Sequence, residues 1–273
     1  MSTAEATNVD TRAISLRNGT MTTRVLVGGK GEPLVYIHGA GGLMWDPFVD
    51  ALAGRFTVYA PEHPGTTPGD PDGIRPLDHL WDLVLYYDEL LSALGLESAA
   101  LVGHSFGGMV AAEVAASFPA RASKLVLISA LGLWRDDAPV PNFMVMTPEE
   151  FVPLLVADQS GPLAQTLLAP PDLESEEGQT VVIQSVWSLA CTGKFIWPLP
   201  DRGLHKRLHR ITAPTLIVWG HRDNLVKSIY ADEFRERIRG SRVDVIENAA
   251  HFPHLEQTER TLELVSGFLQ TSP

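Results

Sequence analysis

The 273-residue chain is 45% hydrophobic and 20% charged, which suits a globular fold with a large core, and its formal net charge is −12. This charge would repel phosphate backbones and anionic lipid, so neither nucleic acid nor a membrane is expected as a partner. The single cysteine, Cys191, excludes an intrachain disulfide, and residues 1–10 read as a short disordered tail rather than a signal peptide. No apolar run approaches 18 residues, so the sequence predicts a cytoplasmic protein without a transmembrane span.

The first half of the chain alternates predicted strands with predicted helices. An Asn18-Gly19 pair, typical of hairpin turns, joins the first two strands. The strands are expected at 13–16, 22–27, 34–38, 56–60, 99–102 and 124–129, and the helices at 46–52, 77–94 and 109–118. This alternation predicts an α/β fold with a mostly parallel, doubly wound sheet and an antiparallel hairpin at its N-terminal edge.

The alternation stops near residue 131 and resumes near residue 209. Between them no strand is apparent, and Thr147-Pro148-Glu149-Glu150 has the signature of a helix N-terminus. A second, apolar helix is expected at 178–189. Afterwards strands are expected at 214–219 and 243–247, and helices at 228–238 and 257–269. The sequence therefore predicts a core formed by residues 11–130 and 209–273, into which a helical cap, residues 131–208, is inserted.

One pentapeptide, Gly103-His104-Ser105-Phe106-Gly107, lies between a predicted buried strand and a predicted helix. A serine at such a tight turn has a strained backbone, and its neighbours must be nearly free of side chain. The hydroxyl of Ser105 is then exposed above the sheet beside the positive end of a helix. This context predicts a nucleophile elbow.

A serine hydroxyl needs a base to take its proton, and the base needs an acid to orient it. Because reactive groups of α/β sheets gather at the carboxyl ends of strands, the residues just past the later strands are the candidates. Asp223 follows the predicted strand 214–219 and His251 follows 243–247, whereas Ser129-Ala130 offers no carboxylate after an earlier strand. The sequence predicts Ser105, Asp223 and His251 as catalytic residues, in the chain order of α/β-hydrolases.

With these motifs the chain resembles the α/β-hydrolase superfamily over nearly its whole length. The matching stretches are residues 35–42, 103–108, 219–223 and 250–256. The resemblance implies an oxyanion hole formed by the backbone N–H groups of Phe106 and Ala40, with Gly41 as an alternative to Ala40. It also implies that His38 is a structural histidine of the oxyanion loop and that the cap covers the serine.

The leading interpretation is a serine hydrolase that cleaves a carboxylic ester of a mainly apolar small molecule through an acyl-enzyme on Ser105. Candidates for the substrate pocket are Gly41, His104, Trp134, Phe143, Met144, Trp187 and Phe252. One alternative within the superfamily is hydrolysis of a carbon–carbon bond in a vinylogous diketone, although such relatives often carry Asn where His104 stands. Another is a non-catalytic small-molecule receptor of the same fold.

No cofactor or metal is predicted. Gly39-Ala40-Gly41 after a strand, with Glu62 after the next, resembles a dinucleotide fingerprint, but Met44 stands where Gly or Ala is expected. The cationic run at 202–210 is expected to be a solvated helix face rather than an anion site. The possibility of a homo-oligomer stays open, because the sequence does not specify the oligomeric state.

Overall fold

A computed structural model describes residues 8–68, 70–199 and 201–271 of the chain. A single eight-stranded sheet, in the order β1-β2-β4-β3-β5-β6-β7-β8, organises these residues. The strands are β1 (Val9–Leu16), β2 (Met21–Gly28), β3 (Pro33–Ile37), β4 (Thr57–Pro61), β5 (Ala99–His104), β6 (Ala122–Ile128), β7 (Thr215–Gly220) and β8 (Arg242–Ile246). β2 pairs antiparallel with β1 and β4, and the other neighbours pair parallel, which confirms the predicted sheet.

Helices cover both faces of this sheet, so it is doubly wound as predicted. Alternate residues of the central strands enter two separate cores: Leu101 and Ile217 pack on one face, and Val102 and Val218 on the other. The helices are α1 (Pro47–Ala53), α2 (Leu80–Ala93), α3 (Phe106–Ser117), α4 (Pro148–Leu155), α5 (Pro162–Leu168), α6 (Glu176–Ile196), α7 (Ile229–Arg237), α8 (Pro253–Glu256) and α9 (Thr258–Gln270). None of these described helices is long and apolar enough to cross a lipid bilayer.

The N-terminal hairpin is longer than predicted. Val9 pairs with Gly28 and Asp10 with Val27, so the prediction of a disordered tail through residue 10 is wrong for these two positions. An edge strand is held by backbone hydrogen bonds, which polar residues form as readily as apolar ones. Residues 1–7, the remainder of the predicted tail apart from Asn8, lie outside the described residues.

Between β6 and β7 the described residues form three α-helices and no strand. We call residues 129–214 the cap segment; the predicted cap, 131–208, falls inside it, and the division into domains stays a prediction. Thr147 caps α4 as expected, because its side chain accepts the N–H of Glu150 and the Glu150 side chain returns to Thr147. The structure adds α5, which the residue spacing did not indicate, and extends the second predicted helix into α6.

Helix α3 packs very closely against the sheet at its first turn. A Cβ at Gly107 would lie 2.0 Å from the carbonyl oxygen of Ile37, and one at Gly103 would lie 2.3 Å from that of Gly107. Backbone atoms cannot move aside as a flexible side chain can. Both glycines of the predicted elbow are therefore required by the distance between β3, β5 and α3.

Replacing one of these glycines should destabilise the fold in a way that an unrelated glycine does not. We expect Gly107→Ala to lower the free energy of unfolding by about 2–3 kcal/mol, because the new methyl group overlaps backbone. Gly267→Ala is the matched control: it lies in α9 with nothing within 4 Å of an added Cβ. It should raise stability by up to about 1 kcal/mol through helix propensity. Urea unfolding of both variants measures the difference, and equal effects would contradict the packing argument.

Candidate active site

Ser105 lies at the turn from β5 into α3, with φ 54° and ψ −118°. A positive φ is strained for a residue with a side chain and persists only where the surrounding structure enforces it. Here the enforcing contacts are backbone hydrogen bonds, because Ser105 N–H donates to Ile128 at 2.9 Å and its carbonyl accepts from Leu131 at 3.0 Å. The turn has the geometry of the predicted elbow.

The structure brings together the three residues predicted as a triad. The Oγ of Ser105 lies 2.9 Å from Nε2 of His251, and Nδ1 of His251 lies 2.9 Å from Oδ2 of Asp223. The other carboxylate oxygen accepts the backbone N–H groups of Leu225 at 3.0 Å and Val226 at 2.8 Å, which fixes its orientation. Nδ1 therefore carries the imidazole proton, and Nε2 is the acceptor for the serine hydroxyl.

His104, predicted as a pocket residue, is buried behind the base. Its Nε2–H donates to the backbone carbonyl of His251 at 2.9 Å, and its ring centroid lies 4.4 Å from that of His254. Burial, reinforced by the neighbouring His254, holds the pKa of His104 well below its ordinary value, so this ring is neutral. This position supports the base and does not support the prediction that His104 lines the substrate pocket.

The loop after β3 lies directly beside the nucleophile. A Cβ at Gly39 would be 3.5 Å from Cβ of Ser105. The N–H of Phe106 is the first of helix α3 and has no intrahelical acceptor. For Ala40, no backbone acceptor of its N–H lies within hydrogen-bonding distance among the described residues. Two unsatisfied donors thus flank Ser105, and their role as an oxyanion hole stays a prediction.

A chain of hydrogen bonds beneath this loop was not predicted. Tyr87 on α2 bonds to Nδ1 of His63 at 2.7 Å, and Nε2 of His63 donates to the carbonyl of His38 at 2.9 Å. The N–H of His63 donates to Nε2 of His38 at 3.0 Å, so Nδ1 of His38 carries the proton that it donates to Gly39 at 2.7 Å. Each partner determines one tautomer, and together they fix the loop after β3. Only the place of His63 just after β4 could have indicated it.

Helix α6 of the cap segment covers the loop after β3. A Cβ at Gly42 would lie 3.2 Å from Oγ of Ser188, and the Thr192 hydroxyl donates to the carbonyl of Ala40 at 3.5 Å. One turn further, Phe195 stacks on Phe106 with centroids 6.5 Å apart. These residues, at helical spacing, form the inner face of α6.

Two pocket candidates of the cap segment differ in burial: Phe143 lies in its interior, and Trp187 lies at its surface. Phe143 is buried and stacks on Phe151 at 5.7 Å. Trp187 is 40% exposed, although the adjacent Ser188 is fully buried. Trp187 therefore lies off the inner face of α6, because one residue along a helix turns the side chain by about 100°, and the structure does not support the prediction that it lines the pocket.

The other candidates lie nearer to the nucleophile. Phe252 packs against the base, its ring 5.6 Å from that of His251, and Gly41 faces open space. Met144 contacts α6, where its Cε would lie 3.2 Å from a Cβ at position 193. A small apolar cavity of about 20 Å³ is lined by Trp134 together with Met109, Leu131, Gly132, Leu133, Val140, Ile196, Leu199 and Arg202. Their contact with a substrate stays a prediction.

The cationic run at 202–210 forms two short 3₁₀ turns instead of the predicted helix face. Arg207 makes a bidentate ion pair with the buried Glu113, at 2.7 and 2.6 Å, and Arg210 donates to the carbonyl of Ala116. These two guanidinium groups hold the turns against α3. In residues 8–68, 70–199 and 201–271 no cluster of His, Cys, Asp and Glu is arranged as a metal site.

The buried histidines should make stability fall at mildly acidic pH. Burial lowers the pKa of His63 from 6.5 to about 4, so the unfolded chain takes up a proton that the folded chain refuses. The stabilising contribution of His63 is complete above the pKa of the unfolded chain. It is lost as the pH falls towards the pKa of the folded chain. We expect a loss of about 2 kcal/mol between about pH 7 and pH 5 from His63 alone, and His38 and His104 act in the same direction.

Urea unfolding at both pH values measures this loss. His63→Gln should make the pH dependence shallower, whereas His209→Gln, at an exposed position, should leave it as in the wild type. A pH dependence that is unchanged in His63→Gln would contradict the assignment.

Comparisons with known proteins agree with the fold. A sequence profile described as alpha/beta hydrolase fold matches residues 32–258, which include Ser105, Asp223 and His251. A solved structure, the naproxen esterase (carboxylesterase NP) from Bacillus subtilis, superimposes with a TM-score of 0.75 at 19% identity, covering 97% of this chain and 92% of the other.

Two characterised relatives match over nearly their full length. The chain is 27% identical to a pimeloyl-[acyl-carrier protein] methyl ester esterase of Aeromonas hydrophila, covering 88% of this chain and 96% of the relative. It is 26% identical to a 2-hydroxy-6-oxo-2,4-heptadienoate hydrolase of Pseudomonas putida, covering 88% and 90%. The relatives thus include an ester hydrolase and a hydrolase of another substrate class. With the profile match and the sheet topology, they show that the chain belongs to the α/β-hydrolase fold family.

Proposed function

We propose that this chain is a serine hydrolase that cleaves a carboxylic ester of a mainly apolar small molecule through an acyl-enzyme on Ser105. The observation that carries the proposal is the continuous hydrogen-bonded chain from Ser105 through His251 to Asp223, with both links at 2.9 Å. A nucleophile, its base and the orienting acid are thus within direct reach of one another.

In the first half of the reaction, Oγ of Ser105 attacks the ester carbonyl carbon while Nε2 of His251 takes the hydroxyl proton. The carbonyl oxygen gains the negative charge, and the N–H groups of Phe106 and Ala40 stabilise it. The imidazolium is stabilised by Asp223 and then gives its proton to the leaving alkoxide oxygen. The carbon–oxygen bond breaks, and the alcohol leaves the acyl group on Ser105.

In the second half a water molecule repeats these steps. His251 takes a proton from the water, whose oxygen attacks the acyl carbon, and the same two N–H groups hold the oxyanion. The tetrahedral intermediate then collapses as Oγ of Ser105 leaves and recovers the proton from His251. The products are a carboxylic acid and the free enzyme.

The surroundings of Ser105 support an apolar substrate. Phe106, Phe195 and Phe252 lie around the nucleophile and its base, so a pocket beside Ser105 would have apolar walls. Pockets of this kind bind by burying apolar surface and fix orientation through a few polar groups. The proposal includes the prediction that the enzyme is cytoplasmic and needs no cofactor. The oligomeric state stays open.

The Pseudomonas putida relative supports one alternative, the hydrolysis of a carbon–carbon bond in a vinylogous diketone. The position before the nucleophile argues against it, because His104 is committed to the backbone of His251 and does not face the serine hydroxyl. A non-catalytic receptor is the other alternative. Parallel assays with aryl and alkyl esters and with a vinylogous diketone distinguish these three, because the receptor would turn over none of them.

Removing the nucleophile should abolish activity without unfolding the chain. We expect Ser105→Ala to lower kcat for an ester at least about ten-thousand-fold, since the base then has no hydroxyl to activate. The control is Ser129→Ala, another buried serine at the end of a neighbouring strand, whose hydroxyl has no hydrogen-bond partner among the described residues. It should keep most of the activity.

Intact mass after treatment with a fluorophosphonate provides an independent measurement. Wild type and Ser129→Ala should gain one adduct, whereas Ser105→Ala and His251→Ala should gain none. An adduct that survives in Ser105→Ala would assign the nucleophile elsewhere. A folded wild type that never reacts would move the receptor alternative to first place.

A further inference from the structure

The end of cap helix α4 is hydrogen-bonded to both loops that carry the acid and the base. The carbonyl of Leu154 accepts the N–H of Asn224, next to Asp223, at 3.3 Å. The carbonyl of Leu155 accepts the N–H of His251 at 2.9 Å. The last carbonyls of a helix have no intrahelical partner, so these two need N–H donors from elsewhere. The acid loop and the base loop supply them.

A half-buried carboxylate completes the connection. One oxygen of Glu256 accepts the N–H of Ala157, just past α4, at 2.6 Å. The other oxygen accepts the N–H of Ala250, the residue before His251, at 2.7 Å. An ionised carboxylate is an acceptor at both oxygens, which is what two facing N–H donors require. An amide in its place would turn a donor towards one of them.

These contacts are made where water is largely excluded. Leu155 is 4% exposed, Val156 2% and His251 2%. Hydrogen bonds in such surroundings are stronger than in water, and breaking one leaves a buried group unsatisfied. The acid loop and the base loop, which bear two of the three side chains of the triad, are therefore hydrogen-bonded through their backbone to the cap segment.

We propose that residues 154–157 and Glu256 form a brace that sets the distance between His251 and its two partners, which makes Glu256 a positioning residue of the triad. The inference rests on the proposed hydrolase function, but the brace itself consists of hydrogen bonds that exist without substrate. The cap segment then positions the catalytic residues for the chemical step as well as covering them.

The test is Glu256→Gln, a substitution of equal size. We expect kcat for an ester and the rate of fluorophosphonate labelling of Ser105 to fall about 10- to 100-fold, because a displacement near 1 Å of a catalytic group costs about that much. KM should change by less than about threefold, since no substrate contact is removed. The control is Glu259→Gln, an exposed glutamate at the start of α9, which should match the wild type in all three.

Two results would overturn the proposal. One is a Glu256→Gln protein that is less stable in thermal unfolding yet retains wild-type kcat and labelling rate, which would make Glu256 merely structural. The other is a raised KM at unchanged kcat, which would limit its effect to the cap segment and substrate binding.

Hydrogen exchange of the wild type keeps the proposal testable even where Glu256→Gln fails to fold or no ester is turned over. The amides of Ala157 and Ala250 share the carboxylate, so the brace predicts that they open together, with exchange protection equal within about threefold. Protection at Ala250 that exceeds that at Ala157 by about a hundredfold would refute the brace. Because this readout needs no activity, failure of the brace and failure of the hydrolase proposal are distinguishable.

Discussion

The strained turn at Ser105 is the constraint on which the rest of the site depends. Its positive φ is held by the backbone hydrogen bonds of Ser105 with Ile128 and Leu131, and α3 approaches β3 closely beside it. The glycines at 103 and 107 permit this approach, because any side chain there would overlap backbone. The site is thus held by close backbone packing between β3, β5 and α3.

Five imidazoles lie close to this turn, and the groups they contact give them different roles. His251 alone lies between a carboxylate and a hydroxyl, so it can gain and return a proton. The other four, His38, His63, His104 and His254, are buried against backbone carbonyls, amides and rings, and burial lowers the pKa of each. They act as neutral spacers, and hydrogen bonds set the tautomers of His38, His63 and His104. Chemistry that requires one charged imidazole is therefore protected from competing protonation nearby.

The sequence was sufficient for the sheet, the hairpin edge and the meeting of the three predicted catalytic residues. Each of these follows from a local pattern together with one topological rule, that the carboxyl ends of parallel strands share an edge. The hydrogen bonds that hold the loops of the site were not predictable, because Glu256 and Tyr87 make their contacts with residues far away in sequence. The position of Trp187 was not predictable for a different reason. Aromatic composition does not give the rotational phase of α6, which only the packed structure defines.

The path of the chain through the cap segment has an evolutionary consequence. The segment leaves the sheet at the end of β6 and returns at the start of β7, its parallel neighbour, a connection for which about a dozen residues would suffice. Loop-closure entropy grows only with the logarithm of length, so doubling the insertion costs about 0.6 kcal/mol. Insertions and deletions can therefore accumulate in the cap segment and change its shape while the sheet stays intact. The stretch just past α4 is the exception, and in a diverging lineage its length should change last.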